Sequence, residues 1–174
     1  MNFREVIQEY YNIYLQYYKD GKVYGTSSED LLDFIAPHVI GLNPKSILDY
    51  GCGRSSLIRN FWNDGKRELY KYDPAIREYR DIPIEKVDLV LCTDVLEHIP
   101  IGFMPKFLYN LSNFSQKAII SVSFVPARQK LSNGKNAHIT LLKQAKWEEL
   151  LAPVYDEINI LKTHKTGMIL KTWH

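Results

Sequence analysis

The chain has 174 residues, 45% of them hydrophobic, which suits a single domain around one core. Its formal net charge of +2 is too small to mark a nucleic-acid binder. No apolar run approaches the ~20 residues that span a bilayer, and the opening MNFREVIQEYYNIYLQYY has early acids and no apolar core, unlike a signal peptide. Only two cysteines occur, Cys52 and Cys92, without metal-ligand spacing. The expectation is a reduced, cytoplasmic protein with no metal ligands and no membrane partner.

Residues 2–19 read as a helix. Tyr10, Tyr11, Tyr14, Tyr17 and Tyr18 recur at spacings of three and four, a stripe expected to pack on the rest of the fold. Lys22 to Ser28 is a turn-like link, with Gly21 just before it and Gly25 within it. Ser28 can cap a second helix to about His38, with Glu29 and Asp30 in its first turn. Residues 1–44 thus form an N-terminal helical cap segment, and 45–174 the core of one structural domain. A strand over 46–50 runs into the turn Gly51-Cys52-Gly53. A helix follows over 55–63, ended near Gly65, and a second strand over 68–72.

Asp73 to Val87 spans fifteen residues and holds Pro74 and Pro83. That interval is too short and broken for a helix and a strand, so the third-strand region is expected to be shortened or absent. A strand is expected at 88–92, a short helix at 95–99 and a longer one at 103–113. Another strand follows at 118–124. Residues 126–138 read as a loop turning at Asn133-Gly134, and 143–151 as a helix. Two β-type runs flank Lys165-Thr166-Gly167, a hairpin. The order gives an α/β fold: a mostly parallel sheet with an antiparallel C-terminal hairpin strand.

The strand, glycine turn and helix over 46–63 make a nucleotide-binding unit. Such a turn presents backbone N–H groups to a pyrophosphate, and the Asp49 carboxylate just before the glycines would repel that anion. The same carboxylate attracts the ammonium and sulfonium of S-adenosylmethionine. A methyl donor is therefore favoured over NAD. Asp73, about twenty residues beyond Gly53, is placed to accept ribose hydroxyls. The same spacing occurs in NAD folds, so Asp73 points to a nucleoside without choosing the cofactor. Pro74, Ala75 and Ile76 could pack on an adenine face.

The run ILDYGCGRSSL (47–57) resembles motif I of the class I S-adenosylmethionine-dependent methyltransferases. YKYDPAI (70–76), DLVLCTDVLEHI (88–99), AIISVSF (118–124) and NAHITLLKQAKWEELL (136–151) continue the resemblance in the family's order. It covers about residues 45–174, with Ser55 where the family has a third glycine. It implies a Rossmann-like class I domain of the small stand-alone type with S-adenosyl-L-methionine as cofactor. The cofactor would be bound by Asp49, Gly51, Gly53, Asp73, Pro74, Ala75, Thr93, Asp94 and Val95. The last three sit where open parallel sheets bind ligands. His98 is a candidate general base beside the reaction centre, and His138 a candidate facing the substrate. The alternatives are a helix histidine bonded only to backbone, and a surface histidine. Tyr24, Thr26 and Ser27 would cover the cofactor, and Asp81 is the candidate for the acid that in the family meets the adenine amino group.

No Asn-Pro-Pro-Tyr or Asp-Pro-Pro-Tyr tetrad follows the 88–92 strand and no Pro-Cys dipeptide occurs, which argues against nucleic-acid bases as acceptors. Arg128, Lys130, Lys135, Lys143 and Lys146 lie between Pro126 and Lys146 with no acid. They read either as a solvated loop or as a substrate mouth that prefers anions, with Arg128 and Lys135 nearest the mouth. The implied activity is methyl transfer to an oxygen or nitrogen of a small molecule. Two alternatives stay open: a protein that binds the cofactor without catalysis, as an accessory subunit would, and an NAD-dependent enzyme, disfavoured by Asp49.

Overall fold

A computed structural model describes residues 2–21, 25–61, 65–82 and 84–174 of the chain. Helix α1 (Phe3–Lys19) opens with a reciprocal cap. The Glu5 N–H donates to Asn2 Oδ1 at 3.0 Å, and the Asn2 N–H donates to Glu5 Oε2 at 2.8 Å. The second helix differs from its expected form. Ser28 does not cap it, because its hydroxyl donates to Ser55 Oγ at 2.7 Å. The chain makes a 3-10 turn over Ser27–Leu31 and only then helix α2 (Leu32–Leu42), which continues past His38. Pro37 lies inside it. Burial of Ile35 and Val39 on the sheet-facing side offsets the hydrogen bond that proline removes.

Six strands follow: β1 (Ser46–Tyr50), β2 (Glu68–Tyr72), β3 (Leu89–Thr93), β4 (Ala118–Ser123), β5 (Asn159–His164) and β6 (Gly167–Lys171). They form one sheet in the order β2-β1-β3-β4-β6-β5. The first four are parallel, whereas β6 runs antiparallel to β4 and to β5. This is the predicted mostly parallel sheet with its closing hairpin. Helices α3 (Met104–Phe114) and α4 (Gln144–Leu151) complete the framework. No strand lies beyond β2 among the described residues. Among its described residues the 73–87 interval holds a 3-10 turn over Arg77–Tyr79, pinned by the Asp73 N–H donating to the Tyr79 carbonyl at 2.8 Å.

Alternation along the strands splits the core into two layers. Leu48, Val90, Cys92, Ile120 and Leu170 face α3, Trp147 and Leu151. Ile47, Leu89, Leu91, Ile119 and Ile169 face Ile35 and Val39 of α2, with Leu57, Ile58 and Phe61. The helix expected over 55–63 is instead a 3-10 segment, Leu57–Phe61, with residues 62 and 63 outside the described ones. Serines cause the tightening. The Ser56 N–H and hydroxyl bond to Glu29 Oε1, and the Leu57 N–H bonds to Ser55 Oγ.

Helix α1 docks on the segment after β4. Ile13 packs with Leu131 and Ala137, flanked by Tyr10 and Tyr17. The Ser132 N–H donates to Glu9 Oε2 at 2.7 Å. The expected 126–138 loop turns at Asn133-Gly134 and is tied by a bridge between Lys130 and Asn136. No helix among the described residues is long and apolar enough to cross a membrane.

Candidate active site

The carboxyl ends of β1, β2, β3 and β4 open into one cavity of about 670 Å³. The glycine turn after β1 forms part of its wall. Gly51 and Cys52 both donate their N–H groups to the Tyr72 carbonyl, at 2.7 and 3.0 Å, which folds the turn over the end of β2. Gly51 has φ +76° and Gly53 φ +53°, both in the left-handed region. A Cβ at Gly51 would stand 2.4 Å from Val95 Cγ2, and one at Gly53 2.5 Å from the Gly25 carbonyl oxygen. Side chains are thus excluded where the cavity meets the backbone.

Three acids surround this turn. Asp73 lines the cavity and is nearly buried. Its Oδ2 accepts the Gly53 N–H at 3.0 Å and the Tyr14 hydroxyl at 3.2 Å, and its Oδ1 accepts the Ala75 N–H at 2.9 Å. Burial raises its pKa, opposed by those donors and by Arg54. Asp94 sits in the left-handed region at φ 54°, and its Oδ1 accepts the Ser121 hydroxyl at 2.7 Å. Asp49 is buried behind the wall and contributes nothing to the lining. Its Oδ2 has no partner among the described residues. Burial pushes its carboxyl up to about 7, against the pull of Lys71 and with the help of Asp73.

Farther along the wall stand His98 and His138, their rings 4.8 Å apart at 68°. His98 Nδ1 lies 2.6 Å from the Tyr10 hydroxyl and 3.0 Å from the Ala137 carbonyl, and Tyr10 Oη is 2.5 Å from that same carbonyl. Burial lowers the His98 pKa to about 4, with the Ala137 carbonyl opposing and His138 adding to the fall. His138 Nδ1 is 2.6 Å from the Val125 carbonyl. Glu97 is fully buried. Its Oε1 accepts the Ser123 N–H at 2.8 Å, while Oε2 has no partner among the described residues. Burial, and then Asp94, hold its carboxyl well above the usual carboxylate range.

Most predicted site residues converge. Gly51, Gly53, Asp73, Pro74, Ala75, Thr93, Asp94, Val95, His98, His138, Thr26 and Ser27 line the one cavity. Asp49 and Asp81 do not, and Tyr24 lies outside the described residues. Of the basic run only Arg128 reaches the wall. Lys135 is exposed away from it, and Lys146 pairs with Glu149 at 2.7 Å. The tyrosine stripe corrects an expectation. Tyr10, Tyr14 and Tyr17 line the cavity rather than simply packing on the fold. Their three-and-four spacing is the same for a core face and a cavity face, so only the position of α1 separates the two. Cys52 and Cys92 are free and buried, and burial raises both thiols, which disfavours the thiolate.

No protein-family model matches the sequence, and no curated protein matches it. Solved structures do. The 1,6-didemethyltoxoflavin-N1-methyltransferase of Burkholderia thailandensis, holding 1,6-didemethyltoxoflavin and S-adenosylhomocysteine, superposes with a TM-score of 0.68 at 13% identity, over 98% of this chain and 89% of that one. The methyltransferase domain of the bacterial protein CtHen1-CN gives 0.60 at 18% identity, over 84% and 99%. Human N-acetylserotonin methyltransferase with S-adenosylmethionine gives 0.56 at 12%, over 84% and 51%. The likeness is one of fold, and the chain has the Rossmann-like α/β fold these methyltransferases share.

Proposed function

We propose that this protein is an S-adenosylmethionine-dependent methyltransferase acting on an oxygen or nitrogen of a small molecule. The observation that carries the reading is that the Gly51–Gly53 cradle and Asp73 share one cavity with His98 and His138. The residues present fit the cofactor. The side-chain-free Gly51 and Gly53 and the acids Asp73 and Asp94 line the cavity where a nucleoside and a cation would lie, and behind the wall Asp49 keeps a buried oxygen without a partner among the described residues. A pyrophosphate would meet the opposite charge pattern.

In this reading Asp73 accepts the ribose hydroxyls, and Pro74 and Ala75 pack on the adenine. Thr93, Asp94 and Val95 hold the methionine part, and Asp49 supports the turn electrostatically. When bound, S-adenosylmethionine supplies an electrophilic methyl group. The protein supplies alignment and exclusion of water. Residues 1–44 act as a cap, with α1 laying Tyr10, Tyr14 and Tyr17 over the cavity. As the acceptor atom gives up its proton, Nε2 of His98 or His138 receives it. Arg128 offers one cation to an anionic group elsewhere on the acceptor.

Calorimetry with S-adenosylmethionine, S-adenosylhomocysteine and NAD tests the reading. The first two should bind with micromolar-scale affinity, roughly 8 kcal/mol, and NAD should not. Labelled methyl transfer into metabolite pools should then identify the acceptor. Binding of NAD alone would overturn the cofactor, and binding without any methyl transfer would leave a carrier or accessory protein.

A further inference from the structure

The proton count around the two histidines defines what they can recognise. Tyr10 Oη, His98 Nδ1 and the Ala137 carbonyl form a triangle with sides of 2.6, 3.0 and 2.5 Å. The carbonyl can only accept. The short contact from Tyr10 to Ala137 therefore holds the phenolic proton. With that proton spent, the contact between Tyr10 and His98 must hold a proton on Nδ1. His138 gives the same answer more simply, because Nδ1 faces only the Val125 carbonyl at 2.6 Å and must donate to it. A neutral imidazole carries one proton, so Nε2 of each ring is left as a bare acceptor.

Neither Nε2 has a protein partner among the described residues, and both rings line the cavity. Their ring centroids lie 4.8 Å apart on the cavity wall, a span that one small molecule can bridge. Two imidazolium ions that close would repel, and burial holds His98 neutral across the physiological range. Backbone carbonyls orient both rings. Of the nearby acids, Asp94 accepts the Ser121 hydroxyl and Glu97 accepts the Ser123 N–H through Oε1, and neither bonds an imidazole. Among the described residues no group of three His, Cys, Asp or Glu is placed to hold a metal ion.

We infer that His98 and His138 form an acceptor subsite that reads hydrogen-bond donors, taking molecules with neighbouring hydroxyl or N–H groups and turning away carboxylates and donor-free analogues. The inference rests on the methyltransferase reading and narrows it. One of the recognised donors is the atom to be methylated, and the methylated product, one donor poorer, is held less well.

Nitrogen NMR of histidine-labelled protein tests this, with and without saturating S-adenosylhomocysteine. Both rings should show protonated Nδ1 and unprotonated Nε2. Catechol should shift both Nε2 signals saturably, and phenol should bind about fivefold more weakly for want of one hydrogen bond. Benzoate and anisole should leave the signals in place. A proton on either Nε2, or equal shifts with benzoate or anisole, would overturn the inference. So would unchanged catechol affinity, by calorimetry, in His98→Gln and in His138→Gln. Failure to bind S-adenosylhomocysteine would instead strike the cofactor reading, since the tautomers and the catechol response are also read without it.

Discussion

Tyr14 donates its hydroxyl to Asp73 Oδ2 at 3.2 Å, on the same carboxylate oxygen that accepts the Gly53 N–H at 3.0 Å. The first helix of the chain thereby touches the carboxylate assigned to the ribose. A carboxylate offers about four lone-pair sites, and here Gly53, Ala75 and Tyr14 use three of them. A ribose diol asks for two. On that assignment Tyr14 must yield its place when a nucleoside enters.

Removing the competing hydroxyl should tighten binding. Tyr14→Phe should bind adenosine and S-adenosylhomocysteine about fivefold more tightly, the worth of one net hydrogen bond. Asp73→Ala should weaken both by about 1.5–3 kcal/mol and leave free methionine unaffected. Calorimetry on the two variants reads both effects. Weaker binding by Tyr14→Phe would make the phenol a ligand contact rather than a competitor.

Asp49 links proton binding to both stability and cofactor uptake. Its carboxyl is raised from the ordinary 3.8 to about 7 by burial, against the pull of Lys71. The folded protein thus binds more protons than the unfolded chain between those values, and stability falls as pH rises from about 4 to 7. Asp49→Asn removes that loss. It should melt higher than the parent at pH 8, by roughly 1–3 kcal/mol, with little gain near pH 4. A cation bound near the turn lowers the carboxyl pKa. S-adenosylmethionine uptake by the parent protein should therefore release protons near pH 7, and the variant should release none. Calorimetry in buffers of different ionisation enthalpy measures this. No difference between the proteins would remove Asp49 from the electrostatics of the site.

Gly53 is the tightest backbone position of the cradle. A methyl group there meets the Gly25 carbonyl at 2.5 Å, and the residue sits at φ +53°. Backbone cannot swing aside as a side-chain tip can. Gly53→Ala should lose roughly 2–4 kcal/mol of stability from strain and overpacking together. Gly65→Ala is the control, since φ is +62° there but nothing among the described residues lies within 4 Å. It should lose only about 1 kcal/mol, from the backbone conformation. Equal losses in thermal melts would mean that φ alone, and not the close approach of Gly25, demands glycine.

What the sequence revealed was local chemistry. Asp49, the two glycines, Asp73 and the Thr93–Val95 corner are neighbours in short motifs, so their types and spacing state their geometry. The missing third strand was legible because fifteen residues with two prolines cannot hold a helix and a strand. The helix after β1 was misjudged because Ser55 and Ser56 are ordinary helix-start residues until Ser28 and Glu29 arrive from another element. Tyr10 and Tyr14 escaped for a related reason. Their partners, His98 and Asp73, lie 88 and 59 residues away, and periodicity carries no record of contacts at that range.

The basic run shows the same contrast and yields the last prediction. Its five cations are neighbours in sequence but do not gather on the cavity wall. Arg128 lines the cavity, Lys130 is tied into a bridge with Asn136, Lys146 pairs with Glu149, and Lys135 is exposed away from the wall. Screening limits unpaired surface charges to about 8 Å at physiological salt, so cations off the wall act weakly on a bound acceptor. With donors directed to His98 and His138, a carboxylate or phosphate elsewhere on the acceptor falls to Arg128. Arg128→Gln should raise KM for such an acceptor about 3–10-fold and flatten its salt dependence, at unchanged kcat. Lys135→Gln should leave KM alone, and both variants should bind S-adenosylhomocysteine as the parent does. Steady-state kinetics at two salt concentrations decide the matter. Equal effects of the two substitutions would mean a diffuse field, and no effect of either would mean that the acceptor's anion, if it has one, is held elsewhere.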